Sequence, residues 1–168
     1  MNRKPLVALA GVIPALALAF APSAALADGG DNIIRGNLTP SMPDDDPING
    51  VNPGGLPWII GRGEVRVRES GRMDVRIEGL QIPAPSPFSQ TDPFNPIQKI
   101  HAVLYCDGMM AADSGAKRMT VPGGDSRFRT HVMAPKMCDM PSVLIQPDAA
   151  GAPAPAYIAS LVGMGDDD

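Results

Sequence analysis

The stretch Glu64-Val65-Arg66-Val67-Arg68-Glu69-Ser70-Gly71-Arg72-Met73-Asp74-Val75-Arg76-Ile77-Glu78 decides the fold class. Val65 and Val67 alternate with Glu64, Arg66 and Arg68, and Met73, Val75 and Ile77 alternate with Arg72, Asp74, Arg76 and Glu78. Period two is the pattern of a strand with one buried face, and two such runs joined by a glycine-bearing turn predict an antiparallel hairpin. Loop length follows from what each register would set face to face. A two-residue loop at Ser70-Gly71 would oppose Val67 to Asp74 and Val65 to Arg76, mixing core with solvent on both faces. A three-residue loop, Glu69-Ser70-Gly71, opposes Val67 to Met73, Val65 to Val75, Arg66 to Asp74 and Glu64 to Arg76. Only this register keeps the faces separate. It also puts Gly71 at the left-handed position of a type I turn with a G1 bulge, where glycine is favoured.

Working outward, Leu56-Pro57-Trp58 opens the domain on the amino-terminal side, and Ile59 and Ile60 lead into the first strand. On the other side, the prolines between Pro83 and Pro96 exclude a central strand and predict a crossing loop held by Phe88 and Phe94. Lys99-Ile100-His101-Ala102-Val103-Leu104-Tyr105-Cys106 follows, apolar on both alternating faces. That predicts a strand inside a sheet with cover on both sides. Lys117 to Val121, Arg127 to Met133, Ser142 to Ile145 and Tyr157 to Val162 are further short strands, separated by Pro/Gly-bearing turns. Six to seven strands without a helical period predict an all-β fold, an antiparallel β-sandwich of immunoglobulin-like size over residues 56–163. It is not a true immunoglobulin domain, because Trp58 precedes both cysteines instead of lying between them.

The chain starts with Met1-Asn2-Arg3-Lys4, runs apolar from Leu6 to Phe20 and reaches Ala25-Leu26-Ala27, an A-x-A site. This is the pattern of a secretory signal peptide, residues 1–27, cleaved after Ala27. The expected destination is periplasmic or extracellular, with no membrane span after signal cleavage. In that oxidising setting the only two cysteines, Cys106 and Cys138, are read as one disulfide. Residues 28–55 are rich in Gly, Pro, Asn and Asp and contain no aromatic residue. They read as a disordered lead-in, and residues 164–168 as an acidic tail.

Without Arg3 and Lys4 the mature chain sets 12 basic residues against 18 acidic ones, a net charge of −6. Eight of those acids lie in the two ends, and residues 56–163 hold ten acids and eleven bases. Near-neutrality of the folded part argues against a nucleic-acid partner.

Signatures of catalysis are missing: the sequence has no G-x-S-x-G, H-E-x-x-H, C-x-x-C, G-x-x-x-x-G-K-[ST] or G-x-G-x-x-G. His101 and His131 are the only histidines, and paired cysteines offer no thiolate. No catalytic residue and no cofactor are therefore assigned. One segment suggests a metal, since Met133, Met137 and Met140 lie within eight residues, just after His131. Thioethers suit Cu(I) and imidazole suits several transition metals, whereas Lys136 within the cluster would repel a cation. Trp58, Tyr105 and Tyr157 are expected to serve the core, because aromatics make up only 4% of the chain.

The succession Pro57-Trp58-Ile59-Ile60-Gly61-Arg62-Gly63-Glu64-Val65, Gly71 to Leu80, His101-Ala102-Val103-Leu104-Tyr105-Cys106, Gly124-Asp125-Ser126-Arg127-Phe128, Cys138 and Tyr157-Ile158-Ala159 resembles a group of small exported bacterial β-domain proteins with paired cysteines. The resemblance covers residues 57–163 and implies a secreted β-domain. It implies no catalytic residue. The expectation is thus an exported non-enzymatic β-sandwich, a structural or interaction module with a protein or envelope partner. The alternative is a small copper-binding protein using Met133, Met137 and Met140.

Overall fold

The computed structural model describes residues 32–163. The expected signal peptide, residues 28–31 of the lead-in and the acidic tail lie outside the described residues. Among the described residues there are thirteen strands: β1 (Asn32–Asn37), β2 (Thr39–Pro40), β3 (Asn52–Pro53), β4 (Arg62–Arg68), β5 (Arg72–Glu78), β6 (Lys99–Cys106), β7 (Met109–Asp113), β8 (Lys117–Arg118), β9 (Ser126–His131), β10 (Pro141–Ala149), β11 (Ala152–Pro153), β12 (Ala156–Tyr157) and β13 (Ala159–Val162). Seven of them have five or more residues and build most of two antiparallel sheets. One sheet runs β1-β4-β5-β9. The other runs β2-β13-β10-β6-β7, with β8 on β6 and β11 on β10. The fold is all-β, as the alternation requires.

Hairpin β4–β5 has the register set by its apolar residues, with Val67 opposite Met73, Val65 opposite Val75, Arg66 opposite Asp74 and Glu64 opposite Arg76. Gly71 has a φ of 82°, and a Cβ there would lie 2.2 Å from the Val132 carbonyl oxygen. Conformation and space both demand glycine.

The inner faces of the two sheets meet in one core. Ile34, Val65, Val67, Met73, Val75 and Ile77 come from the first sheet, and Ile100, Ala102, Leu104, Val143, Ile145 and Ala159 from the second. The outer face of β6 and β10 is buried as well. Val103, Tyr105, Leu144 and Tyr157 form a second cluster, and Ile48 and Val51 pack over it.

That cover corrects the reading of residues 28–55 as a disordered lead-in. From Asn32 onward the segment is part of the fold. β1 pairs with β4 along Asn32–Asn37, Ile34 and Leu38 enter the core, and the following residues cap the second sheet. The Tyr157 hydroxyl donates to the Asp46 carbonyl at 3.1 Å, and Asn49 Nδ2 donates to Ser142 Oγ at 2.7 Å. The segment has too few apolar residues for a core of its own, but it only needs to complete one that others supply. Asp45 likewise has a structural role, its Oδ2 accepting from the Met42 amide at 2.7 Å.

Two further differences are smaller. Met109–Asp113, for which the sequence pattern assigns no strand, is strand β7 on β6. The last strand is interrupted after Tyr157: β12 pairs in parallel with β3, and β13 pairs with β10.

Candidate binding surface

An alternating strand sends every second side chain outward, and in the sheet β1-β4-β5-β9 more than half of those positions are arginine. Register places them in rungs. One rung across the four strands reads Arg35, Arg66, Asp74, Arg129, and the next reads Asn37, Glu64, Arg76, Arg127. Toward the β4–β5 turn, Arg68 pairs with Asn32 and Arg72 with His131; at the far end Arg62 faces Glu78. Eight arginines therefore share one face with three acids, Glu64, Asp74 and Glu78. All of them except Arg62 and Glu78 line a shallow depression of about 760 Å³.

The acids are drawn into pairs mostly within one strand. Arg62 donates through Nε and Nη2 to Glu64 Oε1 at 3.2 and 2.8 Å, and Arg76 does the same to Glu78 Oε1 at 2.8 and 2.5 Å. Asp74 accepts from Arg72 Nε at 3.1 Å and also from Arg129 across the β5–β9 boundary. Arg66 instead donates to the neutral Asn32 Oδ1 at 2.5 Å. Arg35 and Arg127 carry no ion pair among the described residues. Burial pushes the Asp74 carboxyl up, but the bond from Arg129, the charges of Arg72 and Arg129 and the bond from Arg72 together hold it below the usual range. Glu64 is lowered too, first by its bond with Arg62. Arginines outnumber acids on this face among the described residues.

The near-neutral sum over residues 56–163 concealed this segregation. Each strand's arginines were legible as polar alternates. What was not legible was that β9 lies beside β5 and β1 beside β4, which brings separate polar stripes together on one surface.

His101 is the second cluster of ionisable groups. It sits on the outer face of β6 with no exposed surface. Nδ1 faces Asp113 on β7, at 2.8 Å from Oδ1 and 3.0 Å from Oδ2, and Nε2 faces Asp148 on β10 at 2.9 Å. A carboxylate at each nitrogen leaves neither open to a nucleophile or a substrate. The arrangement ties three neighbouring strands together. Asp148 is held below the usual carboxylate range, first by its bond with His101 and in smaller part by the charges of His101 and Lys99 and the Gly151 amide, against the upward push of burial. Its contribution to stability is therefore complete above the unfolded value near 3.9 and is lost as pH falls through the lowered folded value. Asp74 acts in the same sense. The melting temperature should thus fall as pH drops below about 4, and Asp148→Asn should make that acid limb shallower. A limb unchanged in the variant would show that Asp148 does not contribute to it.

The remaining predicted site residues are placed as follows. Cys106 at the end of β6 is bonded to Cys138, which lies in the connection from β9 to β10, with a Cα–Cα distance of 5.1 Å. Met137 and Met140 flank Cys138, while Met133 and His131 lie beside the β4–β5 turn, where Gly71 abuts the backbone of Val132 and Ala134. Met133, Met137 and Met140 expose 93%, 84% and 62% of their surfaces. All three side chains are open to solvent. Met109 and Met110, which the sequence pattern did not single out, are also exposed on β7, with Met109 opposite Cys106. Trp58, Tyr105 and Tyr157 are buried and offer no aromatic binding surface. No helix among the described residues is long and apolar enough to cross a membrane.

No family model, curated protein or solved structure matches this chain.

Proposed function

We propose that this chain is an exported, non-enzymatic β-sandwich that serves as an interaction module of the cell envelope or extracellular space, with the arginine face as its working surface. The observation that carries this reading is the asymmetry of the two outer faces. The face of β6 and β10 is sealed by the chain's own residues, Ile48 and Val51 among them. The face of β1, β4, β5 and β9 carries more arginines than acids and is open over most of its extent, Arg68 at the turn end being buried. Uncovered charge of one sign is suited to attracting and orienting a partner.

Export is supported by the basic start, the apolar run and Ala25-Leu26-Ala27, together with a disulfide of the kind that persists in oxidising compartments. A non-catalytic role is supported by His101, engaged at both ring nitrogens, and by the oxidation of both cysteines. When the full chain is expressed in a bacterial host, the expected product is found outside the cytoplasm with Asp28 as its first residue, as intact-mass measurement would read. A screen of ester, glycoside and peptide substrates should show no turnover. Retention of residues 1–27 in the cytoplasm, or turnover that disappears in His101→Ala or His131→Ala, would overturn the reading.

A further inference from the structure

We infer that the partner of the arginine face is an acidic polysaccharide, its carboxylates taken by the arginines and its hydroxyls by the acids and amides between them. This rests on the arginine face being the working surface, and it adds what that surface recognises.

Size argues for a polymer. Neighbouring strands lie about 4.8 Å apart and alternate residues along a strand about 6.7 Å. The unpaired Arg35 on β1 and Arg127 on β9 stand three strand spacings and one rung apart, roughly 16 Å. Arg66 and Arg76 lie between them on adjacent rungs. An extended ligand crossing the sheet meets all four guanidinium groups, whereas a single small anion reaches only one or two. The planar guanidinium presents paired donors that match a carboxylate.

Composition argues for a sugar chain. Glu64 and Asp74 interrupt the arginines, and Asn32 and Asn37 border them. Carboxylates repel a ligand that is only anionic, but they accept hydrogen bonds from hydroxyls, which a polysaccharide carries between its charges. Among the described residues, the outward positions of the four strands hold no Phe, Tyr or Trp, and His131 stands only at the turn end. Bases of a single-stranded nucleic acid would therefore find no row of large aromatic rings to stack on, and the face offers no large apolar group to enter a lipid surface.

The test uses the full exported protein and calorimetric titration with polygalacturonate at low salt. Saturable binding is expected, weakening as salt screens the charges. Fully methyl-esterified polygalacturonate, which keeps the backbone and loses the charges, should not bind. The double variant Arg35→Glu, Arg127→Glu should bind roughly tenfold or more weakly at an unchanged melting temperature, since neither residue carries an ion pair. Absence of binding, equal binding of the ester, or undiminished binding by the double variant would overturn the inference. So would tighter binding to oligothymidylate or to phosphatidylglycerol vesicles, or self-association of the protein that the double variant abolishes. Those failures leave the interaction-module reading standing, because processing after Ala27 and the lack of turnover test it separately.

Discussion

A chain that begins at Leu56 is expected to show no cooperative melting transition, whereas one that begins at Asp28 melts like the full exported protein. Removal of the amino-terminal segment takes away three things at once. The first is β1, with its ladder onto β4, so that β4 becomes a sheet edge. The second is a pair of core side chains, Ile34 and Leu38, each contributing about 1.5–3 kcal/mol by burial. The third is the cap over Val103, Tyr105, Leu144 and Tyr157, with the bonds from Ser41 Oγ to the Tyr157 carbonyl at 3.1 Å and from the Trp58 amide to the Ser41 carbonyl at 3.0 Å. Losses of that kind together rival the whole net stability of a domain, about 5–15 kcal/mol. Scanning calorimetry is the measurement. A sharp transition in the shorter chain would mean that residues 28–55 are dispensable after all.

The same segment shows where sequence reasoning reached its limit. Local composition tells whether a stretch can bury enough of itself to fold alone, and residues 28–55 cannot. It does not tell whether a neighbour has apolar surface to lend. The clue lay elsewhere in the chain: the run from Ile100 to Cys106 is apolar on both faces, and something had to cover the second one. By contrast, the β4–β5 register was fully legible, because a slip of one residue would exchange core for solvent at every position. Strand β7 was harder to see, since Met109 and Met110 are exposed and carry no alternation.

The arginine face lies between these cases. Polar alternates in Arg66, Arg72, Arg76, Arg127 and Arg129 were readable strand by strand. Their common surface depends on pairings between segments far apart in sequence, β1 with β4 and β5 with β9. His101 was hidden for a related reason. Its two carboxylates come from positions 113 and 148 on the strands either side of β6, and neither forms a recognisable spacing with it.

Loss of the disulfide is the other large effect expected. Cys106 and Cys138 are 32 positions apart, and on the chain-entropy account a bridge closing such a loop contributes about 3–4 kcal/mol by restricting the unfolded chain. For a domain of this size, that corresponds to a melting temperature lower by roughly 10 °C in the Cys106→Ser, Cys138→Ser double variant. Its β content should be retained, because the bridge ties the end of β6 to a loop and does not hold the sheets together through the core. The β6–β10 ladder from Pro141 opposite Cys106 to Pro147 opposite Ile100 stays in place. So do the bonds from the Asp107 amide to the Met140 carbonyl at 3.4 Å and from the Met140 amide to Asp107 Oδ1 at 3.1 Å. Far-ultraviolet circular dichroism and a thermal scan of the two proteins separate these effects. A lowered transition with a native spectrum fits the staple described, and an unchanged transition would show that the bridge restricts little in the unfolded chain. A lost spectrum would mean instead that the connection carrying Met137 and Met140 is needed to hold β10 against β6, a structural demand on the loop that its two hydrogen bonds with Asp107 do not meet by themselves.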